Sequence, residues 1–401
     1  MVEWKELGQL GSFENIGSDK KIIEGEKIVT LLNYVDVYHH KYIDSSVPKM
    51  QVSASDRKIK DCSVLQGDIY VTPSSETIDD IGHSAVITET IPNAVYSYHI
   101  MRYRLFEKNM LLSYYINYMF DTELVKKQIL KKAQGLTRFG LTKDKFASIK
   151  IPIPTVSEEK RIVDYLNTFT SSIDNLKQQI AERRKQFEYY CDQYYGGDYN
   201  GMMAFSNNPG CSVVPFSELG TITRGKRFVR DDVRESGQPC IHYGDMYTYY
   251  GTKAHQANTF LDRDFPKKMR YAHKGDVVIV GAGENDYDIG VGVVWLGDEP
   301  AAVHDACYIL EHNLNPMYIS YYLRSNIYHQ QLKKFVSSGK ISSFSAEGLG
   351  KVLIPIQSKE KQQEIVSTLE TFEVSILKLE QMVELRQKQY EYYREKLLTF
   401  E

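Results

Sequence analysis

The residues of this 401-residue chain that could carry catalytic chemistry are few and poorly spaced. The stretch Val280–Asp286 follows a predicted strand and has two glycines, as a dinucleotide- or methyl-donor-binding loop would. It lacks the third glycine of that fingerprint, and no helix signal follows it. We therefore predict no nucleotide site here, although an enzyme with its donor loop at Gly281–Asp286 stays an alternative.

Other possible catalytic or metal-binding motifs are equally incomplete. The stretch Asn315–Tyr318 resembles the Asn-Pro-Pro-Tyr loop of amino-methyltransferases, but Met317 breaks it, and Pro316 suits the first position of a helix. His39-His40 and Asp305-x-Cys307 have no partners at ligand spacing, so no metal site is predicted. The scattered cysteines contain no CxxC pair, which favours free thiols in a reducing cytoplasm: Cys62, Cys191, Cys211, Cys240 and Cys307.

Basic residues near glycines or aromatics form a clearer pattern than the catalytic and metal-binding motifs. This pattern is typical of a DNA-binding surface. Lysine and arginine contact phosphates, Arg, Asn, Gln, Ser and Thr near base edges can specify sequence, and glycine lets the backbone approach the sugar-phosphate chain. The alternative is an ordinary solvated face. The candidate DNA-binding residues are Lys131, Lys132, Gly135, Thr137, Arg138, Arg224, Lys226, Arg227, Arg230, Lys267, Lys268, Arg270, Lys333, Lys334, Gly339, Lys340, Ser342 and Ser343.

An internal repeat positions these residues. Ile151-Pro152-Ile153 and Ile354-Pro355-Ile356 stand 203 residues apart, and each opens a long amphipathic stretch. Before each stretch comes the same plan: a Gly-Asp turn with a β-branched strand, a helical stretch, a glycine loop and a closing strand. The Gly-Asp turns are Gly67-Asp68 and Gly275-Asp276, the helical stretches Leu111–Lys132 and Met317–Phe335, and the glycine loops begin at Gly135 and Gly339.

The two long stretches have apolar residues at alternating steps of four and three, which is a heptad seam. Thr155-x-x-Glu158 predicts a capping box for the first helix. An arginine replaces the apolar residue at one step of each seam, at Arg183 and Arg386. These arginines either extend past the seam or pair with a nearby Glu, or they set the register of the pair.

Chain length favours antiparallel pairing of the helices. A helix of about 38 residues is about 57 Å long. A linker of about 17 residues spans about 55–60 Å only when fully stretched, so parallel pairing is barely feasible. We therefore predict an α+β protein in which two globular mixed α/β domains are separated by two long antiparallel helices. The helices form an intramolecular coiled coil with pseudo-two-fold symmetry.

The predicted segments follow from this plan. Their bounds are 1–155 for the first domain, 156–197 for the first helix, 198–212 for a linker, 213–357 for the second domain and 358–401 for the second helix. No run of eighteen apolar residues and no signal segment is present, so a cytoplasmic protein without a membrane span is expected. The net charge of −3 is mild evidence against nucleic-acid binding, but charge can be segregated on one face.

The duplicated order of these motifs resembles the specificity subunit of type I restriction-modification enzymes over essentially the full length. The resemblance implies two target-recognition domains, each reading half of a bipartite double-stranded DNA sequence, while the helices set the gap. It also implies that two methyltransferase subunits dock on this chain and connect it to an endonuclease/translocase. S-adenosylmethionine, ATP and magnesium would belong to those partners, and this chain would carry no cofactor.

The resemblance leaves a docking surface to be assigned. The repeated blocks Lys185–Tyr190 and Lys388–Tyr393 are more alike than the globular domains. We predict that their polar residues help to bind the methyltransferase, although plain heptad chemistry is the alternative: Lys185, Gln186, Glu188, Lys388, Gln389 and Glu391. A coiled-coil adaptor with two protein-binding heads, or a DNA methyltransferase, are the alternative functions.

Overall fold

The computed structural model describes residues 2–196, 211–265, 267–284, 289–339 and 341–400. Lys340 and most of the predicted linker therefore lie outside the described residues. The chain forms two compact units, which are Met1–Asn175 with Met382–Glu401, and Leu176–Gln381. Each unit thus contains one globular region and a part of both long helices.

In the first unit the described residues form thirteen strands and six short α-helices before the first long helix. The strands are β1 (Glu3–Glu6), β2 (Gly11–Glu14), β3 (Lys27–Leu32), β4 (Tyr42–Ile43), β5 (Met50–Ala54), β6 (Ser63–Val64), β7 (Ile69–Val71), β8 (Ser74–Ser75), β9 (Ser84–Ile87), β10 (Ile91–Tyr96), β11 (Met101–Leu105), β12 (Phe139–Gly140) and β13 (Lys150–Ile153). The helices are α1 (Leu7–Leu10), α2 (Tyr34–His39), α3 (Asp56–Asp61), α4 (Met110–Met119), α5 (Glu123–Lys132), α6 (Lys143–Ala147) and the long α7 (Val156–Tyr194).

In the second unit the described residues form another thirteen strands. These are β14 (Ser212–Pro215), β15 (Gly220–Arg224), β16 (Gln238–Ile241), β17 (Lys253–Ala254), β18 (Thr259–Leu261), β19 (Tyr271–Ala272), β20 (Val277–Val280), β21 (Ala282–Gly283), β22 (Gly292–Trp295), β23 (Ala301–Val303), β24 (Cys307–His312), β25 (Ser342–Ser343) and β26 (Leu353–Ile356). The helices are α8 (Asp245–Thr248), α9 (Pro316–Tyr322), α10 (Asn326–Leu332), α11 (Ala346–Gly350) and the long α12 (Lys359–Leu398).

The two units have the same sheet topology. The first has a five-stranded sheet β2-β11-β7-β9-β4, a four-stranded sheet β5-β3-β10-β6, and the pairs β1-β13 and β8-β12. The second has β15-β24-β20-β22-β17, β18-β16-β23-β19, β14-β26 and β21-β25, which is the same order with each strand thirteen places later. The predicted α+β fold with two similar mixed units is therefore confirmed.

Successive side chains along the strands face opposite sides of the sheet, so the core of each unit is divided into layers. In β7, Ile69 and Val71 face one cluster, which includes side chains of α4, α5 and α7, whereas Tyr70 between them faces the cluster beneath the four-stranded sheet. In β20, Val277 and Ile279 face the helices, and Val278 and Val280 face the opposite cluster. The helical layer of each core is therefore continuous with the long helices.

Both predicted helical stretches are interrupted. The first divides into α4 and α5, because the Thr122 hydroxyl accepts a hydrogen bond from the Val125 N–H and starts a new helix. The second divides into α9 and α10, where the Ser325 hydroxyl accepts from the Tyr328 N–H. At the start of α7 the predicted capping box is half formed, because Thr155 caps the Glu158 N–H while the Glu158 carboxylate binds Arg161.

Within each unit the segments of the two long helices run antiparallel, as predicted. In the first unit Tyr165 contacts Tyr393, and Phe169, four residues further along α7, lies beneath Arg386, which precedes Tyr393 in α12. In the second unit Arg184 forms an ion pair with Glu380 at 2.7 Å, and Tyr190 stacks on Phe372. The helix ends enter the cores, where Tyr195 and Leu398 are fully buried.

Candidate nucleic-acid interface

Each predicted glycine loop is a short hairpin attached to the segment that follows the Gly-Asp strand. In the first unit β12 pairs with β8, placing Phe139 opposite Ser75. In the second unit β25 pairs with β21, placing Ser343 opposite Ala282. Gly135 has φ of +139°, and a Cβ there would lie 1.9 Å from the Arg138 carbonyl oxygen. This loop therefore requires glycine for its own conformation, independently of any ligand.

The first glycine loop exposes only part of its predicted residues to a ligand. Thr137, Arg138 and Lys131 are exposed, and the Arg138 Nε donates to the Ser74 hydroxyl at 3.3 Å. The Lys132 ammonium instead donates to the Ser148 carbonyl at 2.9 Å, so it stabilises the fold. Phosphate contacts from this loop would therefore come from Arg138 and Lys131.

The second glycine loop is similar in construction, and its central Lys340 lies outside the described residues. Lys333, Lys334 and Gly339 are exposed, whereas Ser342 is buried and Ser343 is half-buried within the β21–β25 pair. The buried position of Ser342 leaves no room for a DNA contact by its side chain. Among the described residues of this loop, the accessible predicted side chains are therefore those of Lys333 and Lys334, with the backbone of Gly339 also exposed.

The glycine-rich stretch after β20 is built as part of this hairpin. The N–H groups of Gly281 and Ala282 both donate to the Ala306 carbonyl, at 2.8 and 3.2 Å. These N–H groups are the ones that a phosphate-binding loop would present to its ligand. Asn285 and Asp286 lie outside the described residues.

The other motifs have structural roles. The Asn315 side chain accepts from the N–H groups of Met317 and Tyr318 at the start of α9, so Pro316 does begin a helix. Among the described residues, no group of three or more His, Cys, Asp or Glu side chains could hold a metal ion. Within the same residues, no helix is long and apolar enough to cross a membrane.

The predicted basic run of the second unit lies over the connection between β23 and β24. The Lys226 N–H donates to the Val303 carbonyl and the Gly225 N–H to that of Cys307, both at 2.9 Å. The Arg224 Nε donates to the Asp305 carbonyl at 2.7 Å, and the Arg270 guanidinium donates to the Arg224 carbonyl. The structure therefore brings Arg270, which is distant in sequence, together with Arg224 and Lys226, and all three are exposed.

Gly225 makes this crossing possible. A Cβ at this position would lie 2.2 Å from the His304 carbonyl oxygen and 2.4 Å from that of Val303. Residues 304–306, which we call the second crossed turn, are therefore fixed beneath the basic run. Lys267 and Lys268 are exposed, but the described contacts do not join them to this group.

Two histidines lie at the second crossed turn. The His242 and His304 ring centroids are 4.8 Å apart, and Phe228 lies edge-on to His304 at 5.0 Å. Burial lowers the pKa of both imidazoles. The Asp245 carboxylate partly offsets this for the pKa of His242, and Asp305 does so for that of His304, while Arg230 and Arg227 lower the two pKa values further. Each Nδ1 faces a backbone N–H, that of Gly244 for His242 at 3.2 Å and that of Ala306 for His304 at 3.1 Å.

The first unit has a corresponding arrangement, in the connection between β10 and β11. A Cβ at Gly17 would lie 2.4 Å from the Ser97 carbonyl carbon, so the chain leaving β2 crosses residues 97–100, the first crossed turn, as tightly. The turn presents Tyr98, which is 49% exposed, with its ring 4.0 Å from that of His99. Burial lowers the pKa of His99, and Lys20 and Arg138 lower it further. Arg138 of the glycine loop is therefore close to this turn.

Sequence reasoning missed Tyr98, His99, His242 and His304 as functional candidates. None lies in a basic run, only His304 adjoins a weighed motif (Asp305-x-Cys307, considered for metal and not for DNA), and the histidines of the two units do not align by a constant offset. The available signal was positional, because both crossed turns connect equivalent strands of the duplicated plan.

The predicted docking residues lie on the outer surface of the long helices. Lys185, Gln186 and Glu188 are exposed, as are Lys388, Gln389 and Glu391. Gln186 accepts a hydrogen bond from Arg183 at 3.0 Å, and Gln389 accepts from Arg386 at the same distance. The two glutamines therefore orient the seam arginines, and Glu391 accepts a hydrogen bond from Gln387 at 2.9 Å. The other three predicted residues, Lys185, Glu188 and Lys388, are exposed.

Comparison with known proteins identifies relatives over nearly the whole chain. The sequence matches the family described as the type I restriction modification DNA specificity domain twice, at residues 1–183 and 210–387. A Haemophilus influenzae protein named as a type I restriction enzyme specificity subunit is 29% identical over 291 residues, which span 66% of this chain and 68% of the relative.

Solved structures share the fold. The specificity subunit of a type I restriction-modification system from M. genitalium aligns with a TM-score of 0.53 at 15% identity, over 100% of this chain and 97% of that chain. A chain from a structural study of complex assembly and conformational transition in the type I restriction-modification system aligns with a TM-score of 0.58 at 16% identity, over 99% and 96% of the two chains.

Proposed function

Because the chain belongs to the type I restriction-modification specificity-subunit family, with two target-recognition domains, we propose that it reads a bipartite DNA sequence with one half-site per unit. The observation that carries this proposal is the duplication of the sheet topology around divergent surface residues. Equivalent folds with different exposed side chains suit two different half-sites, because fold and sequence readout then vary independently.

DNA binding would require residues that position the units on the duplex and residues that read the bases. Exposed Arg138 and Lys131 in the first unit, and Arg224, Lys226 and Arg270 in the second, would contact phosphates and fix the units on the duplex. Such contacts weaken steeply with salt, because binding releases counterions from the DNA. A net charge of −3 is compatible with this use, since these cations are grouped around defined turns.

We further propose that the long helices set the gap between half-sites and bind two methyltransferase subunits through Lys185, Glu188, Lys388 and Glu391. A regular helix transmits a length faithfully, because each residue adds 1.5 Å. The chemistry would belong to the partners: adenine methylation with S-adenosylmethionine on the methyltransferases, and ATP- and magnesium-dependent cleavage on an endonuclease subunit. The complex would act in the cytoplasm on double-stranded DNA.

The test is modified-adenine mapping in cells with and without this chain. A bipartite motif of two fixed half-sites and a constant gap should be methylated in the parent cells and unmethylated after deletion. Methylation that persists unchanged at every motif after deletion would refute the proposal. An adaptor that only binds proteins would leave the motif unchanged, and an independent methyltransferase would methylate DNA without its partner subunits.

A further inference from the structure

The crossed turns offer side chains, besides the surrounding cations, that can distinguish bases. Phosphate contacts carry no sequence information directly, so a reading domain needs other groups close to its phosphate-binding residues. Around the second crossed turn, Arg224 and Arg270 contact the backbone of the basic run or the turn itself. His242 and His304 lie beside these cations, with the Asp245 carboxylate close to His242 and the Asp305 carboxylate 3.4 Å from the His304 Nδ1.

His242 has a defined hydrogen-bonding role available. Its Nδ1 lies 3.2 Å from the Gly244 N–H, and accepting that hydrogen bond places the ring proton on Nε2. The Nε2 has no hydrogen-bond partner among the residues that the structure describes, and the side chain is half-buried. An oriented N–H donor of this kind matches an acceptor on a base edge, such as guanine N7 or O6.

The ring of His304 packs against the ring of His242. Its ring lies 4.8 Å from that of His242 and 5.6 Å from that of Tyr243, and Phe228 lies edge-on to it. Because the crossing at Gly225 excludes any side chain, the turn that carries His304 is held in place. The imidazole of His242 is thus presented by a rigid support, as specific recognition requires.

The first unit presents a different pair of side chains at the equivalent place. Tyr98 is exposed beside His99, and Lys20 and Arg138 are near enough to lower the pKa of His99. A tyrosine offers an apolar ring and a hydroxyl at a low entropy cost. The same turn therefore carries different recognition chemistry in the two units.

We propose that the crossed turns determine base specificity, with Tyr98 and His99 reading one half-site and His242, supported by His304, reading the other. This inference rests on the proposed function, since it assumes that each unit reads one half-site. It predicts that a substitution at one crossed turn changes only the half-site read by that unit.

The test compares methylation motifs in cells whose only copy of this chain carries His242→Asn or Tyr98→Ala, with the partner subunits intact. Asparagine keeps an oxygen to accept from Gly244 but removes the outward N–H. We expect His242→Asn to raise methylation of sites with a non-cognate base at one position of one half-site about tenfold relative to cognate sites. Tyr98→Ala should relax one position in the other half-site, and the gap should not change.

Two matched variants sharpen the result. His242→Gln places an amide N–H near the original Nε2 and should restore most of the discrimination. His273→Asn changes an exposed histidine of the same unit and should leave both half-sites unchanged. If His242→Asn reduces the amount of folded protein, Tyr98→Ala, at an exposed position, decides the question.

The possible outcomes distinguish failure of this inference from failure of the proposed function. Unaltered half-sites in both His242→Asn and Tyr98→Ala cells, with methylation still dependent on the chain, would overturn this inference alone. Relaxation of both half-sites by one variant would also overturn it. Methylation that is independent of the chain itself would instead refute the proposed function.

Discussion

The guanidinium of Arg183 lies 5.8 Å from the ring centroid of Phe372 on the opposing helix. The repeat-related pair, Arg386 and Phe169, has the same separation. Arg183 and Arg386 occupy the one polar step of each heptad seam, so both interruptions are filled by an interhelical cation–π contact. Within the described part of the chain neither arginine pairs with a Glu, although one interpretation of the sequence expected this; each donates to the Gln three residues later. The geometry favours a role in register.

This contact predicts measurable coupling. We expect Arg183→Met and Phe372→Leu each to lower the free energy of unfolding, with a coupling of about 0.5–1 kcal/mol in a double-mutant cycle. The measurement is denaturant unfolding of the chain and its three variants. A cycle on Arg183 and Tyr189, an exposed residue on the same helix, serves as the control and should show no coupling. Additive effects of Arg183→Met and Phe372→Leu would argue against a specific contact.

Length should control the gap in the recognised DNA. Insertion of seven residues after Leu176 and seven after Leu379 keeps the heptad seam in register and lengthens both helices by about 10 Å. We expect a gap longer by up to about three base pairs with both half-sites retained, since each base pair rises about 3.4 Å. Mapping of modified adenines measures this. Changed half-sites with an unchanged gap would show that the helices do not set the spacing.

Charge reversal should weaken binding of the methyltransferase. We expect Lys185→Glu combined with Lys388→Glu to reduce capture of the methyltransferase subunit at least tenfold, because both lysines are exposed in the repeated blocks. Lys177→Glu, at an exposed position of the same helix but outside the blocks, is the matched control. Equal capture by the double variant and the parent chain would exclude these lysines from the interface.

The crossing at Gly225 should tolerate no side chain. Gly225→Ala places a Cβ 2.2 Å from the His304 carbonyl oxygen, and the backbone of the crossed turn must move to admit it. We expect a loss of about 1–3 kcal/mol or more of unfolding free energy. Gly339→Ala is the control, because its Cβ would meet only the Ile341 carbonyl oxygen at 3.7 Å. Equal unfolding midpoints for the two variants would contradict the crossing geometry.

Acid should destabilise the second unit through His312. Burial lowers the pKa of His312 to about 4, below the value of about 6.5 for a free histidine. Between these values the unfolded chain binds a proton that the folded chain does not. The free energy of unfolding is therefore unaffected by protonation of His312 above about pH 6.5. It falls by up to about 3 kcal/mol as the pH decreases toward 4, because protons then favour the unfolded chain.

His312→Asn tests this dependence, because an asparagine oxygen can still accept from the Leu314 N–H, which lies 3.2 Å from the His312 Nδ1. Thermal unfolding from pH 7 to 4 should be less steeply pH-dependent in this variant than in the parent chain. The exposed His273→Asn variant should keep the parent slope. Identical slopes for all three proteins would exclude a contribution from His312.

Most of the architecture could be predicted from the sequence by itself. Repeated Ile-Pro-Ile strands, Gly-Asp turns and heptad seams indicated two similar α+β units and antiparallel helices, because such signals are local or periodic and a duplication displays each of them twice. The same reasoning identified the glycine loops and the start of α9 at Pro316.

Only the tertiary structure decided which of the candidate residues are accessible and which act together. Lys132 and Ser342 fit the sequence pattern of a DNA contact, but one binds Ser148 and the other is buried in a strand pair. Arg224 and Arg270 are 46 residues apart and meet over one turn. Tyr98 and His242 had no motif to mark them, because their placement depends on long-range strand pairing and a glycine crossing, which local sequence patterns do not encode.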